Sequence, residues 1–145
     1  GVSSLDILDN VVPYIGSEEE KIESETFKIL GQLTPDKKAH ELHASSPLQV
    51  SAQCNRVPVI DGHLACVSVR FARQPAPSPE QVAQAFRNYR CEAQELGCHS
   101  APKIAVTVHE ERDRPQPRLD RDWQNGAGVN VGRIRKCPVM DIKVC

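Results

Sequence analysis

The sequence predicts an α+β fold, and three kinds of pattern support this class. Residues 18–34 and 79–97 carry apolar side chains at helical spacing, and both segments begin with helix-capping signals. Other segments alternate apolar and polar residues, as strands with one buried face do. Proline and glycine separate these segments. We therefore expect one domain over residues 1–145, in which a mixed or antiparallel sheet of about five to seven strands packs one face against two main helices.

The first elements are expected to be a lead-in and a helix. Residues 5–15 close at Pro13 and are expected to be irregular or extended. Ser17 and Glu20 have the spacing of a capping box, so a helix should begin there and end within residues 31–34. The helix should carry on one face Ile22, Thr26, Ile29, Leu30 and Leu33.

The following segment, residues 34–46, is polar and contains His40 and His43. Two histidines three positions apart could share a helix face as metal ligands, but no third ligand is spaced to complete such a site. A mobile loop is therefore the favoured interpretation.

A second helix is expected after the proline-rich connector at residues 74–79. Ser78 and Gln81 flank Pro79 in a second capping box, and Gly97 should end the helix. The core face of this helix should consist of Val82, Ala85, Phe86, Tyr89, Ala93 and Leu96.

The last third reads as strands joined by loops. Alternating patterns predict strands within residues 103–109, 129–134 and 139–144. A charged loop broken by prolines, residues 112–117, separates the first of these strands from the others.

Composition excludes several function classes. A net charge of -1 gives no general attraction to nucleic acid or to anionic membranes. We find no apolar run long enough to span a membrane and no signal peptide. The six cysteines lack the paired short spacing of a zinc site, so we interpret them as reduced thiols of a cytoplasmic protein.

The residues with the strongest chemical signal lie between Gln53 and His63. An apolar run is broken by Asp61-Gly62, a dipeptide typical of a two-residue hairpin turn, and the alternation resumes over residues 63–71. Two strands joined this tightly would fix the Arg56 guanidinium and the His63 imidazole at opposite ends of a short unit. Such residues are usually solvated surface groups, but the pair would also suit an enzyme that binds a carboxylate and moves a proton.

This segment resembles the substrate-binding and acid/base segment of the aspartate-semialdehyde dehydrogenases of fungi and archaea. The resemblance rests on Asn55-Arg56-Val57-Pro58-Val59 followed by Asp61-Gly62-His63. It is extended by residues 1–15, 18–31, 113–122 and 131–135, and it is weakest over residues 34–46. Gly1 already belongs to the family-like stretch, so either an initiator methionine was removed or the chain is a piece of something longer.

The resemblance implies roles for four residues. Arg56 would hold the carboxylate of a small anionic substrate, and His63 would transfer the proton. Glu18 and Lys21 match an acidic residue and a lysine that help to bind substrate and inorganic phosphate in that family. From the residues alone, Glu18 and Lys21 could equally form a surface ion pair three positions apart on the helix.

The resemblance also implies what this chain lacks. In the family, a cysteine of the dinucleotide-binding domain attacks the aldehyde, NADP accepts the hydride, and phosphate cleaves the thioester. We find neither a phosphate-binding glycine loop nor that nucleophile segment, so no cofactor is expected on this chain and NADP would bind the missing domain. Gly126, Gly128 and Gly132 have the spacing G-x-G-x-x-x-G, which is one residue longer than the dinucleotide fingerprint, and the pattern leads into a strand where the fingerprint requires a helix. Cys54 does not qualify as the nucleophile, because the family has a cysteine there besides the catalytic one.

Two functions of different class follow. The chain is either the substrate-binding and dimerisation domain of the dehydrogenase, inactive by itself, or a truncated relative repurposed as a non-redox cyclase or isomerase of secondary metabolism. Unusual residues near the former domain junction, namely Trp123, Cys137 and Cys145, favour the second hypothesis slightly. In both cases a homodimer is expected, because sheet faces not covered by helices need burial.

Overall fold

The structure, a computed structural model, describes residues 4–41 and 48–145. The chain divides into two compact units, Gly1–Pro58 and Val59–Cys145. Each unit contains one of the two longest helices together with short strands. The predicted α+β class is therefore confirmed.

The first unit is built around one long helix. Helix α1 spans Ser4–Ile7, at the start of the segment that was expected to be irregular or extended, and helix α2 spans Glu18–Leu30. Strands β1 (Gln32–Leu33) and β2 (His40–Glu41) then form a two-stranded antiparallel ladder. This hairpin occupies part of the segment that was predicted to be a loop, whereas His43 lies outside the described residues.

The start and the orientation of α2 differ from the sequence-based expectation. Ser17 stands at the N-cap with φ 63°, and its side chain makes no capping hydrogen bond, so the predicted capping box is wrong. Glu19 and Glu23 are half-buried, while Ile29 is 77% exposed and Leu30 is 61% exposed. The glutamates face the chain because they accept backbone hydrogen bonds there, as described below. The apolar stripe of α2 is consequently left on the surface of this unit.

The second unit begins with a strand and two helices. Strand β3 spans Val67–Val69, helix α3 spans Pro79–Asn88 and helix α4 spans Glu92–Glu95. The capping box at Ser78 is confirmed, since Gln81 N–H donates to the Ser78 hydroxyl at 3.2 Å and Ser78 N–H donates to the Gln81 amide oxygen at 2.8 Å. The single helix predicted over residues 79–97 is wrong, because extended backbone at its C-cap residue, Tyr89, ends α3.

The remaining α-helix and strands lie in the last third of the chain. They are β4 (Val106–Val108), α5 (Pro117–Asp120), β5 (Val129–Val131), β6 (Arg135–Lys136) and β7 (Ile142–Val144). The strands β4 and β5 are parallel, and β7 lies between β3 and β6 in an antiparallel sheet. The seven short strands of the described chain therefore form three separate sheets, with one parallel and three antiparallel strand pairs.

Among the residues that the structure describes, the buried apolar side chains all belong to the second unit. They are Ala83, Ala105, Val131 and Ile142, of which Ile142 is 2% exposed. None of the described residues of the first unit is buried. No helix in residues 4–41 or 48–145 is long and apolar enough to cross a membrane.

Candidate functional site

The segment before Arg56 is held along α2 by two glutamate side chains. Glu23 accepts a hydrogen bond from Ala52 N–H at 2.8 Å, and Glu19 accepts one from Cys54 N–H at 2.7 Å. Each step of two residues along this segment thus advances one turn towards the N-terminus of α2. Two residues further on, Arg56 pairs with Val12, which precedes α2 in the chain.

Arg56 is fixed by its backbone, and its side chain is exposed. It pairs with Val12 in an antiparallel bridge, with N–O distances of 2.8 Å and 3.1 Å. The strand that was predicted to follow Arg56 is absent, since residues 57–60 join no ladder of the described chain. The guanidinium therefore projects from a pinned backbone and is accessible to a ligand of this unit.

Glu18 and Lys21 lie in the first turn of α2. Lys21 is exposed and lies about 160° to 200° around the helix from Glu19 and Glu23, so it faces away from residues 52–54. Glu18 is half-buried. Within the described chain the two side chains form no ion pair with each other, so the surface pair considered in the sequence analysis is not made.

His63 belongs to the second unit, whereas Arg56 belongs to the first. Gly62, just before it, has φ 97°, a backbone conformation that favours glycine. A Cβ at Gly62 would lie 3.3 Å from Pro117 Cβ, and the guanidinium of Arg121 donates to Asp61 O at 3.3 Å. The turn is thus held against α5, and His63 follows it with an exposed side chain. The predicted hairpin is wrong, because β3 pairs with β7.

A cleft of about 350 Å³ lies in the second unit, and no pattern in the sequence predicted it. Among its lining residues, Arg114 donates two hydrogen bonds to Asp120. Its Nε donates to Oδ2 at 3.0 Å, and its Nη2 donates to Oδ1. Gln116 N–H also donates to Asp120 Oδ2, at 2.6 Å. The cleft is lined by Thr107, His109, Arg114, Leu119, Asp120, Asp122, Trp123 and Asn130.

Asp120 in this cleft is ionised and fully engaged. The hydrogen bond from Arg114 lowers the pKa of Asp120, and the Gln116 amide acts in the same direction, while partial burial opposes them. A carboxylate whose negative charge is balanced by a guanidinium stays deprotonated, so it does not act as a proton donor near neutral pH. Asp120 and Arg114 therefore form a structural pair that shapes the cleft.

His109 supplies the imidazole of the cleft, with a side chain that is 14% exposed. Its Nε2 lies 3.0 Å from Asn130 Oδ1 and 3.8 Å from Asp120 Oδ1, and its Nδ1 lies 3.7 Å from Glu111 Oε2. Residues 113–122 stood out in the sequence through family resemblance. The chain offered no local signal that β4 and β5 bring His109 and Asn130 beside them.

Among the described cysteines, Cys54, Cys66 and Cys137 have shifted thiol pKa values. Partial desolvation raises the pKa of Cys54, and the negative charge of Glu19 adds to this effect. A hydrogen bond from Met140 N–H lowers the pKa of Cys137. Cys54 is thus poorly suited to be a thiolate nucleophile, in agreement with its exclusion on sequence grounds.

The glycines that resemble a dinucleotide fingerprint do not fit a nucleotide. A Cβ at Gly128 would lie 3.0 Å from Trp123 Cδ1, and one at Gly132 would collide with the Arg114 carbonyl oxygen. Close packing within the chain therefore explains both glycines. Within the described ranges, no cluster of three His, Cys, Asp or Glu side chains is arranged to hold a metal ion.

The family model for the dimerisation domain of semialdehyde dehydrogenases matches residues 1–145. The chain belongs to this family. This chain is 65% identical to an aspartate-semialdehyde dehydrogenase of Cryptococcus neoformans and 45% identical to one of Methanothermobacter thermautotrophicus. These matches cover 100% and 94% of the chain, but 40% and 37% of the relatives.

The crystal structure of the Candida albicans aspartate-semialdehyde dehydrogenase with NADP is similar to this dimerisation domain. The TM-score is 0.90 at 57% identity, over 99% of this chain and 40% of that one. The chain therefore spans about two-fifths of the length of these relatives.

Proposed function

We propose that residues 1–145 act as the substrate-binding and dimerisation domain of an aspartate-semialdehyde dehydrogenase of amino-acid biosynthesis in the cytoplasm. The observation that carries this proposal is the match of the whole chain to enzymes of that name, over two-fifths of their length. The nucleophilic cysteine and the NADP site then belong to the rest of the polypeptide, which agrees with glycines that pack against their own chain.

Arg56 binds the substrate carboxylate in this proposal. A guanidinium presents two parallel N–H donors to a carboxylate, and such charge-assisted pairs are strong and directional. The antiparallel bridge to Val12 and the glutamate contacts at Ala52 and Cys54 support the role, because they hold the Arg56 backbone in one position before a ligand binds.

His63 transfers the proton in this proposal. An imidazole titrates close to neutral pH and can accept and return a proton in one reaction cycle. The left-handed turn at Gly62, held against α5, supports this role because it fixes the backbone from which the exposed His63 side chain extends. Glu18 and Lys21, at the first turn of α2, would assist in binding substrate and phosphate.

The repurposed cyclase or isomerase remains an alternative hypothesis. It requires a pocket used without NADP, and the 350 Å³ cleft of the second unit is large enough for a small molecule. The engagement of Asp120 by Arg114 leaves His109 as the cleft's candidate for acid/base chemistry.

Two substitutions in the complete polypeptide that contains this chain test the proposal. We expect Arg56→Lys to weaken binding of a substrate-like dicarboxylate roughly 10- to 150-fold in calorimetry, because about 1.5 to 3 kcal/mol of charge-assisted contact is lost. We expect His63→Asn to leave that affinity unchanged and to abolish turnover, because asparagine does not titrate near neutral pH.

Arg73→Lys is the matched control, since Arg73 is exposed and lies outside residues 53–63. Circular dichroism checks that each variant is folded. Equal affinities for wild type and a folded Arg56→Lys variant would remove the carboxylate-binding role from Arg56.

A further inference from the structure

Cys66 and Cys145 face each other at the open end of the β3–β7 ladder. Val67 lies opposite Val144, so the next pair outward is Cys66 with Cys145. Their Sγ atoms are 3.7 Å apart. Cys66 is exposed and Cys145 is half-buried, so an oxidant in solution can reach Cys66 directly.

The backbone hydrogen bonds show which kind of pair this is. Cys145 N–H donates to Gly132 O at 3.0 Å, and Gly132 N–H donates to Cys145 O at 2.8 Å. Both polar groups of Cys145 therefore point away from β3, and the two cysteines form a non-hydrogen-bonded pair of the antiparallel ladder. Such pairs have Cα atoms about 4.5 Å apart, within the range of about 4.4 to 6.8 Å that disulfides span.

Closing the bond requires the sulfurs to approach to about 2.05 Å, which side-chain rotation can supply while the backbone stays in the ladder. Gly132 holds the Cys145 backbone from the other side, and the bare Cα of Gly132 is required because a Cβ there would collide with the Arg114 carbonyl. The backbone of Cys145 is therefore held in place before any bond to Cys66 forms.

The charges around the pair favour oxidation once a proton leaves. Hydrogen bonding with Cys145 raises the pKa of Cys66, while Arg133 and Arg135 act in the opposite direction. The Cys66 thiol therefore loses its proton less readily than a free cysteine, and the two guanidinium groups stabilise the thiolate when it forms.

We propose that Cys66 and Cys145 are a thiol oxidation site that forms a cross-strand disulfide on exposure to a peroxide. The Cys66 thiolate attacks one peroxide oxygen, the O–O bond breaks, and Cys66 becomes a sulfenic acid with release of water or an alcohol. The Cys145 thiol then attacks the Cys66 sulfur and displaces hydroxide, which leaves as water with the thiol proton. Two thiols are oxidised, one peroxide is reduced, and a dithiol reductant reverses the bridge.

The test uses the complete polypeptide treated with hydrogen peroxide, followed by alkylation of remaining thiols, proteolysis and mass spectrometry without reduction. We expect a peptide pair joined through Cys66 and Cys145 that dithiothreitol separates. Cys66→Ser and Cys145→Ser should each abolish it. Cys98→Ser, at an exposed cysteine outside the pair, should leave it intact.

A second measurement covers variants that fail to fold. In wild type, the bridge should form at least about 10-fold faster in the native protein than in urea, because folding holds the two sulfurs in contact. Three results would each overturn the proposal. The first is that Cys66 and Cys145 keep free thiols under conditions that oxidise Cys137. The others are a bridge from Cys66 to another cysteine or to a second copy, and equal rates of bridge formation in the two solvents.

Discussion

Asp120 carries the strongest local constraint in the described chain, because it combines near-complete burial with a charge. Its side chain is 6% exposed. The carboxylate accepts two hydrogen bonds from the Arg114 guanidinium and one from Gln116 N–H. Its own backbone carbonyl accepts a hydrogen bond from Asn130 Nδ2 at 3.1 Å. One residue thus links the loop after β4, the start of α5 and strand β5.

We predict that Asp120→Asn lowers the free energy of unfolding by about 1.5 to 3 kcal/mol near neutral pH, the range for hydrogen bonds to charged groups. The folded-state pKa of Asp120 lies below the ordinary value of 3.8. Its contribution is therefore complete above about 3.8 and is lost as the pH falls through the folded-state pKa. Urea unfolding of the complete polypeptide at several pH values should show the difference from wild type shrinking only below about pH 4.

Glu110→Gln is the control for this prediction, because Glu110 pairs with Arg87 on the surface and is 80% exposed. Its effect should be about 0 to 1 kcal/mol. A difference between wild type and Asp120→Asn that stays constant down to about pH 2 would exclude linkage through this carboxyl.

Sequence reasoning at the scale of single residues succeeded where a local rule applies. Gly62 was expected in a turn, and it has the positive φ that turns require of glycine. The cleft around Asp120 was missed because His109, which follows β4, and Asn130 of β5 come together only in the folded chain. No spacing along the chain encodes that meeting.

The two helix starts show how much a single capping side chain decides at the scale of elements. Ser78 and Ser17 both begin a capping-box pattern, but only Ser78 has the extended backbone that aims its hydroxyl at the helix. Ser17 lies in the left-handed region, where its hydroxyl makes no capping bond. The pattern in the sequence is the same, and the backbone conformation before the helix separates the two cases.

We predict that Ser78→Ala destabilises the second unit by about 1 kcal/mol, because the Gln81 amide loses its acceptor. Ser17→Ala should change stability by less than about 0.5 kcal/mol, since no such bond exists to lose. Chemical denaturation of both variants measures the difference. Equal losses for the two would mean that the Ser78 hydrogen bond contributes nothing specific.

Strand pairing was the least predictable property of the elements. Alternation located β4, β5 and β7 correctly, but the tight turn at Asp61-Gly62 suggested a local hairpin that does not form. β3 pairs instead with β7, because pairing depends on which faces can be buried together after the whole chain has folded. The alternation of apolar and polar residues predicts that a strand forms, but it does not predict which strand it pairs with.

At the scale of the whole molecule, the exposed apolar surface predicts association. Ile29 and Leu30 on α2, and Val129 at the start of β5, are each more than half exposed. We predict a dimer of the chain at micromolar concentration, because large apolar side chains left in water favour a self-complementary interface. Sedimentation equilibrium measures the mass, and a monomer at that concentration would contradict the argument.

The same scale determines what the chain should fail to do. We predict that the isolated 145-residue chain shows no NADP-dependent oxidation of aspartate semialdehyde with phosphate, because the nucleophile and the hydride acceptor site lie elsewhere in the proposed enzyme. A spectrophotometric assay at NADPH absorbance tests this, with the complete polypeptide as the positive control. Measurable turnover by the isolated chain would require a nucleophile within residues 1–145.

The pairing of β3 with β7 also has a consequence for synthesis on the ribosome. The paired residues are 73 to 77 positions apart in the chain. At roughly 5 to 20 residues per second, translation takes about 4 to 15 s to deliver β7 after β3 has been made. During that interval the backbone edge of Val67–Val69 lacks its native partner, so the nascent chain offers chaperones a binding site that the finished sheet removes.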